Sequence, residues 1–385
     1  MASAPLGLSD LQMSLRHGVI DLGLGLPDPT LLPIVAVADA MADALSRRGG
    51  DALNYGYSAG PGPLLEWLRA RHGRIDGNAP AADEIMTTAG NSNGLDLLLT
   101  LFAQPGEVVL VESPSYHLGV AIIRDHPVEV VMVPVDEGGL VIAAVEQAID
   151  AATRAGKRVA AIYTVPTFHN PTGVCLAPER RAALVTLAER RAILVIEDDV
   201  YRELSYDGEA PHSLASSAPA GVVARLGSFS KSLAPGLRLG WLTADRKLIA
   251  RVVASGLLDS SGGHSQLSAV AVSSLCLSGA FDPQVERYRA AYRERRDALL
   301  AGFAKHLPAG SSWTTPAGGF FSWVTLPEGI DTGRLQPLAE SHGVTYTPGA
   351  RSLGIDGPSR SLRAAFCLYP PGELREGARR LGMAL

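Results

Sequence analysis

Gly227-Ser-Phe-Ser-Lys-Ser-Leu-Ala-Pro-Gly-Leu-Arg-Leu-Gly-Trp241 is the stretch from which the rest of the chain can be read. Lys231 sits between two serines, just past an apolar run at Val222–Leu226 that predicts a strand. Turn-forming Pro235-Gly236 follows, and then Arg238 leads into a second apolar run, Leu239–Thr243. Most loop lysines are simply solvated. Here hydroxyls surround the lysine, and an arginine enters an apolar strand, where a desolvated guanidinium is costly unless an anion meets it.

Working outward, short β-branched runs alternate with longer amphipathic ones. Further strands are expected at Glu107–Val111, Val128–Val133, Val159–Thr164 and Ala192–Glu197, with helices at Ser92–Phe102, Val141–Ala155 and Pro178–Arg190. Strands separated by crossover-length helices predict an α/β fold whose mostly parallel sheet is covered by helices on both faces. After Asp282 the pattern changes to a long charged helix, Arg287–His306, then strands at Gly319–Val324 and Leu362–Cys367 and a last helix from Pro371. These predict a smaller α+β domain. The expected division is an arm and helix over 1–48, a large domain over 49–284 and a small domain over 285–385, with the arm free to pack on the small domain.

Four more segments close or follow predicted elements. Ile196-Glu-Asp-Asp-Val-Tyr201 ends a strand in carboxylates, where open sheets bind ligands. Thr164-Val-Pro-Thr-Phe-His-Asn-Pro-Thr-Gly173 carries an NPTG turn. Thr87-Thr-Ala-Gly-Asn-Ser-Asn-Gly-Leu-Asp96 is a glycine turn opening an apolar helix, whose free N–H groups suit a phosphate. Glu112-Ser-Pro-Ser-Tyr116 places an aromatic ring after a strand, and Ser361-Leu-Arg-Ala-Ala-Phe366 places one arginine within one. Each alone has an ordinary reading: a surface strand end, a loop, a capped helix, a packed ring, a salt bridge.

In this order the segments resemble those of fold-type I pyridoxal 5′-phosphate (PLP) enzymes of the class I/II aminotransferase group, closest to the 2-aminoadipate and kynurenine aminotransferase-like branch and related to the aminotransferase-like domain of MocR regulators. The resemblance spans roughly residues 20 to 385. It implies that Lys231 forms a Schiff base with the cofactor aldehyde and that Ser228, Arg238, Gly90, Asn91 and Ser92 hold its phosphate. It implies that Asp198 pairs with the pyridinium nitrogen, with Asp199 or Glu197 as lesser candidates. Tyr201 and Asn170 would bond the phenolic oxygen, and Tyr116 would stack on the ring. Arg363 would clamp an α-carboxylate. In Asn54-Tyr55-Gly56, Tyr55 would reach the neighbouring subunit's phosphate, which makes a C2 homodimer the expected partner state; packing within its own subunit is the ordinary alternative.

The implied reaction is ping-pong transfer of an amino group between an α-amino acid and a 2-oxo acid, with Lys231 as the base. Other PLP reactions, namely decarboxylation, β-elimination or oxidation, use the same residues, and a PLP-binding regulator is the non-enzyme alternative. Such a regulator carries a winged helix before the arm, for which about 20 residues leave no room. For substrate contacts, the arm Ile20–Pro29 resembles a glycine-glycine-leucine-proline segment with Leu24 in place of the first glycine and Gly25 as the second. That substitution predicts a narrower or more apolar pocket. Arg16, in a preceding helical stretch, and Arg351 are candidates to read a substrate side chain.

Composition agrees. The chain has 385 residues and a formal charge of -5, without a long Lys/Arg run, so nothing suggests nucleic acid. Its three cysteines form no CxxC pair, which argues against a zinc cluster or a disulfide framework. No stretch reads as a secretory signal or membrane span, so a soluble cytoplasmic protein is expected. The 41 glycines point to many demanding turns.

Overall fold

The computed structural model describes residues 15–385. Strand β1 (Ile20–Asp21) opens the described chain, and the helix Ile34–Arg48 follows. The large sheet comprises β2 (Ile85–Thr88), β3 (Val108–Ser113), β4 (Glu129–Asp136), β5 (Gly139–Leu140), β6 (Val159–Thr164), β7 (Leu194–Asp198), β8 (Val223–Ser228) and β9 (Gly240–Thr243). Their spatial order is β2-β9-β8-β7-β6-β3-β4-β5. Strands β8, β7, β6, β3 and β4 run parallel, as expected. Strand β9 is antiparallel to both β2 and β8, because it returns directly from β8 through the lysine loop, without a crossover helix.

The central strands β3, β6 and β8 are buried almost end to end, so their near-continuous apolar runs have a cause: helices cover both faces. Helices Asn91–Phe102, Ile142–Arg154 and Pro178–Arg191 lie within a residue of their expected limits. The long helix spans Phe281–His306 and starts six residues before the expected Arg287. Asp282-Pro283 reads as a break, yet proline is tolerated in a first turn, where its missing N–H has no partner to lose. The expected boundary after residue 284 therefore falls inside this helix.

The C-terminal part carries β10 (Ser312–Trp313), β11 (Phe321–Thr325), β12 (Val344–Thr345), β13 (Thr347–Pro348) and β14 (Ser361–Ala365). Strands β10-β11-β14-β13 form an antiparallel sheet, and β12 pairs in parallel with β1 of the arm. The arm is thus tied to the small sheet's side, and the last helix, Pro371–Ala384, packs along the long helix.

One consequence of this topology positions the site. Strand β2 is antiparallel to β9, which is antiparallel to β8, so β2 runs in the direction of the parallel core. The C-terminal ends of β2, β3, β6, β7 and β8 therefore open at one edge, where the order reverses between β3 and β6. Ligands of open α/β sheets bind in such a crevice.

Candidate active site

Each strand delivers one segment to this edge. From β2 the chain passes through Gly90, at φ +92° and ψ 171°, into the helix Asn91–Phe102. No side chain caps that helix, so its first N–H groups are open to an anion. A Cβ on Gly90 would lie 3.0 Å from Arg238 Nη2, so only glycine lets the guanidinium approach this turn. Arg238 itself adopts φ +47° and donates to Ala89 O at 3.0 Å and Pro235 O at 3.3 Å, with no carboxylate partner among the described residues. Ser228 Oγ accepts from Ser230 N at 3.0 Å, and the two hydroxyls lie 2.9 Å apart. Ser228, Ser230, Arg238 and the helix start form one cradle with the character of a phosphate site.

Alternation along β7 sorts the three acidic residues. Glu197 accepts from Leu214 N at 2.7 Å and Ala215 N at 3.0 Å, and Asp199 pairs with Arg225 at 2.7 Å. Both face away from the crevice. Asp198 points the other way: its Oδ1 accepts from Asn91 Nδ2 at 2.5 Å and its Oδ2 from the Tyr163 hydroxyl at 2.7 Å. Burial pushes Asp198 up to about 6, against the pull of those two hydrogen bonds. Asp198 has no cationic partner among the described residues.

Lys231 follows β8 in a short helical turn, Phe229–Ser232. Its amine donates to Gly25 O at 3.0 Å and lies 5.3 Å from the centre of the Phe320 ring. Burial lowers its pKa, which favours the neutral, nucleophilic amine. Cys367 shares this enclosure, donating to Leu24 O at 3.7 Å, and burial pushes its thiol up to about 12, so it stays protonated and inert.

Arg363, on β14, is 5% exposed and also lacks a carboxylate partner among the described residues. Its Nη1 donates to Asn170 Oδ1 at 3.0 Å, and its Nη2 donates to Gly23 O at 2.6 Å and Thr347 Oγ1 at 3.2 Å. The guanidinium lies 4.3 Å from the Phe321 ring centre, while its buried Nε has no acceptor. Phe321 also fixes Gly25: a Cβ there would sit 2.5 Å from the ring. Beside Asn170 in sequence, the buried His169 places Nδ1 2.8 Å from Thr172 Oγ1 and Nε2 3.1 Å from buried Glu112. Tyr201 is buried, with its ring 5.5 Å from Phe320 and 6.0 Å from Phe321. Tyr116 ends the β3 segment at the start of the helix His117–Arg124.

The crevice thus brings together Lys231, Asp198, Tyr201, Tyr116, Asn170, Arg363, Ser228, Arg238, Gly90, Asn91, Ser92 and Gly25. Leu24 is half-buried beside them, with its carbonyl turned to Cys367. Arg16 is not among them, and this expectation is corrected. Its guanidinium pairs with Glu340 at 3.0 Å on the exposed surface, and Arg16 lies outside any helix. The rest of the helical stretch expected to contain it falls at 1–14, outside the described residues. Tyr55 is 78% exposed and packs its Cβ toward Gly262, so it faces out of its own subunit. Sequence reasoning missed Tyr163, Phe320, Phe321 and Thr347, which carry no motif of their own. Ser230 was legible, as a hydroxyl one residue before the lysine.

The geometry agrees with the known proteins this chain is similar to. The family model for aminotransferase class I and II matches residues 18–381. The chain is 34% identical over 369 residues to aromatic-amino-acid aminotransferase 1 of Thermococcus litoralis, covering 94% of this chain and 87% of that protein. It is 32% identical over 384 residues to 2-aminoadipate transaminase of Thermus thermophilus, covering 97% and 92%. A Pyrococcus horikoshii kynurenine aminotransferase, solved in complex with PMP, KYN as substrates and KYA as products, superposes with a TM-score of 0.90 at 32% identity, covering 95% of this chain and 90% of that one. With almost its whole length matched, the chain belongs to the aminotransferase class I and II family.

Proposed function

We propose that the protein is a PLP-dependent aminotransferase that moves an amino group from an α-amino acid to a 2-oxo acid in two half-reactions through one site. The observation that carries this reading is the half-buried Lys231 amine beside the buried Arg363 guanidinium, neither of which meets a carboxylate among the described residues. A desolvated guanidinium without an acid partner is costly, and a bound carboxylate relieves that cost.

The residues present fit the cofactor. Ser228, Ser230, Arg238 and the N–H groups of Asn91 and Ser92 would hold its phosphate, and Gly90 leaves room for it. Asp198 would face its ring nitrogen, since no other carboxylate of β7 points into the crevice. When bound, PLP supplies an aldehyde that condenses with amines and a ring that accepts the electrons released when a Cα bond breaks. Tyr201 and the amide N–H of Asn170 would donate to its phenolic oxygen, Asn170 Oδ1 being committed to Arg363. Tyr116 would cover one ring face.

Lys231 would hold the cofactor through its aldehyde, and with substrate bound its amine, of lowered pKa, would serve as the base that takes the proton from the substrate Cα in one half-reaction and returns it there in the other. Arg363 orients the Cα–H bond toward that amine by holding the α-carboxylate with its unpaired N–H groups. One clamp serves donor and acceptor in turn, which accords with a ping-pong order. Outward-facing Tyr55 suits a C2 homodimer in which it reaches the partner's phosphate cradle. Within each subunit we assign the large domain to the eight-stranded sheet and the small domain to the sheet after the long helix, with the arm on the small domain's side. No described helix is long and apolar enough to cross a membrane.

The test is to add amino acids to the purified, PLP-loaded protein and follow its visible band. Loss of the band, restored by a 2-oxo acid, supports transamination. An irreversible change, or release of CO2 or ammonia, would assign a different PLP reaction.

A further inference from the structure

Asn91 opens the helix that forms the anion cradle, where a side chain would ordinarily cap the helix or meet the anion. Its side chain does neither. It turns inward, placing Nδ2 2.5 Å from Asp198 Oδ1 and 3.3 Å from Leu226 O. A backbone carbonyl and a carboxylate only accept, so the –NH2 must face them, and the amide orientation follows from its partners. The cost is visible: Asn91 Oδ1 is buried with no donor. An unmet buried acceptor costs enough that an opposing gain must hold this rotamer, and the charge-assisted bond to Asp198 is the gain on offer.

Asp198 needs such help. Among the described residues it is buried at the end of β7 without a cation, and besides Asn91 only the Tyr163 hydroxyl donates to it, at 2.7 Å. The three residues come from different elements: the start of the helix Asn91–Phe102, β6 and β7. We propose that Asn91 is a positioning residue for Asp198. With Tyr163 it donates to both carboxylate oxygens and holds the carboxylate charged and in one orientation for the cofactor's ring nitrogen. This inference rests on the PLP reading above. Geometry carries it, and the direction of Asp198's titration agrees: burial pushes the group up while both hydrogen bonds pull it down, so removing Asn91 moves it further up. The Glu112 and Asp199 carboxylates also push it up; Lys231, Tyr116 and Tyr201 feel its charge as well, but among the described residues none of them donates a hydrogen bond to it.

The test compares two ligands on the apoenzyme: PLP, and 1-deazapyridoxal 5′-phosphate, in which C–H replaces the ring nitrogen and the phosphate is unchanged. In Asn91→Ser, which keeps the helix-start backbone, the ratio of the two dissociation constants should change roughly tenfold against PLP. The pH below which PLP affinity falls should move upward, and Tyr163→Phe should show the same selectivity. Binding of the deaza compound also reports that each variant is folded. Equal loss for both ligands would place Asn91 in the phosphate cradle alone and overturn the proposal, as would an unchanged ratio. Failure of the unaltered protein to bind PLP would instead remove the underlying reading.

Discussion

Replacing Arg363 with leucine distinguishes a substrate clamp from a structural ion pair, because the two predict opposite balances of stability and activity. Breaking a buried ion pair leaves a stranded charge and costs about 3–5 kcal/mol. Arg363 has no acid partner to strand among the described residues. What leucine removes is three hydrogen bonds to neutral acceptors, at Asn170, Gly23 and Thr347, and the approach to Phe321 at 4.3 Å. Bonds from a charged donor contribute about 1.5–3 kcal/mol each, and the relieved desolvation of a guanidinium, several kcal/mol in order of magnitude, largely offsets that loss. Stability should therefore change by less than about 2 kcal/mol, measured by denaturant unfolding. Catalysis should change far more. Two charge-assisted bonds to a carboxylate are worth about 3–6 kcal/mol together, which is roughly 10²–10⁴ in kcat/KM. A primary amine without a carboxylate should react with both forms at similar rates. Unfolding by 3 kcal/mol or more, with amine and amino acid losing activity equally, would refute the reasoning.

Other expectations follow from single features of the site. Gly90→Ala places a methyl 3.0 Å from Arg238 at φ +92°, and should weaken PLP binding far more than binding of pyridoxal, which lacks the phosphate. Burial raises Asp198 to about 6 and, with Asp199's help, Glu197 to about 7, both above the values of about 4 in an unfolded chain. At these two sites the native apoprotein holds more protons than the unfolded chain, so their contribution to stability is fully present below about pH 4 and is lost as pH rises through 6 to 7. Asp198→Asn should remove the lower-pH part of that fall in urea titrations. Arg16→Ala breaks an exposed ion pair and should alter neither kcat/KM beyond twofold nor stability beyond about 1 kcal/mol. Tyr55→Phe should loosen the cofactor in a protein that sediments as a dimer, and a monomer that retains full PLP affinity would remove the shared-site reading.

Much of this architecture is written in local signals. Apolar runs located the core strands within a few residues, because both faces of β3, β6 and β8 are buried, and a buried strand has nothing polar to show. The turns after those strands were legible because glycine, proline and asparagine are forced there by backbone geometry. Direction was less legible: the antiparallel course of β9 depends on a tight return through the lysine loop, which its own composition does not mark. Likewise, Asp282-Pro283 hides a helix start that only packing decides. In the site, residues bound to a motif were found, and those acting through packing were not. Tyr163 is one apolar letter in a buried strand until β7 brings Asp198 to its hydroxyl. Phe321 becomes significant only when β11 pairs with β14 and lays it under Arg363. Arg16 shows the opposite error: a charged residue near the arm suggests a substrate contact, whereas the nearest acid, Glu340, captures it at the surface.

The chain's few lysines give the central claim a clean test. It has four, Lys157, Lys231, Lys247 and Lys305, and only Lys231 is withdrawn from solvent, the other three being exposed. Incubating the protein with PLP, reducing with borohydride and mapping the peptides by mass reads out which amine has bonded to the aldehyde. The account predicts one pyridoxyl group per chain, on Lys231, with loss of activity, and no label above background in Lys231→Ala. Label spread over the exposed lysines with Lys231 unmodified, or an active Lys231→Ala protein, would contradict it.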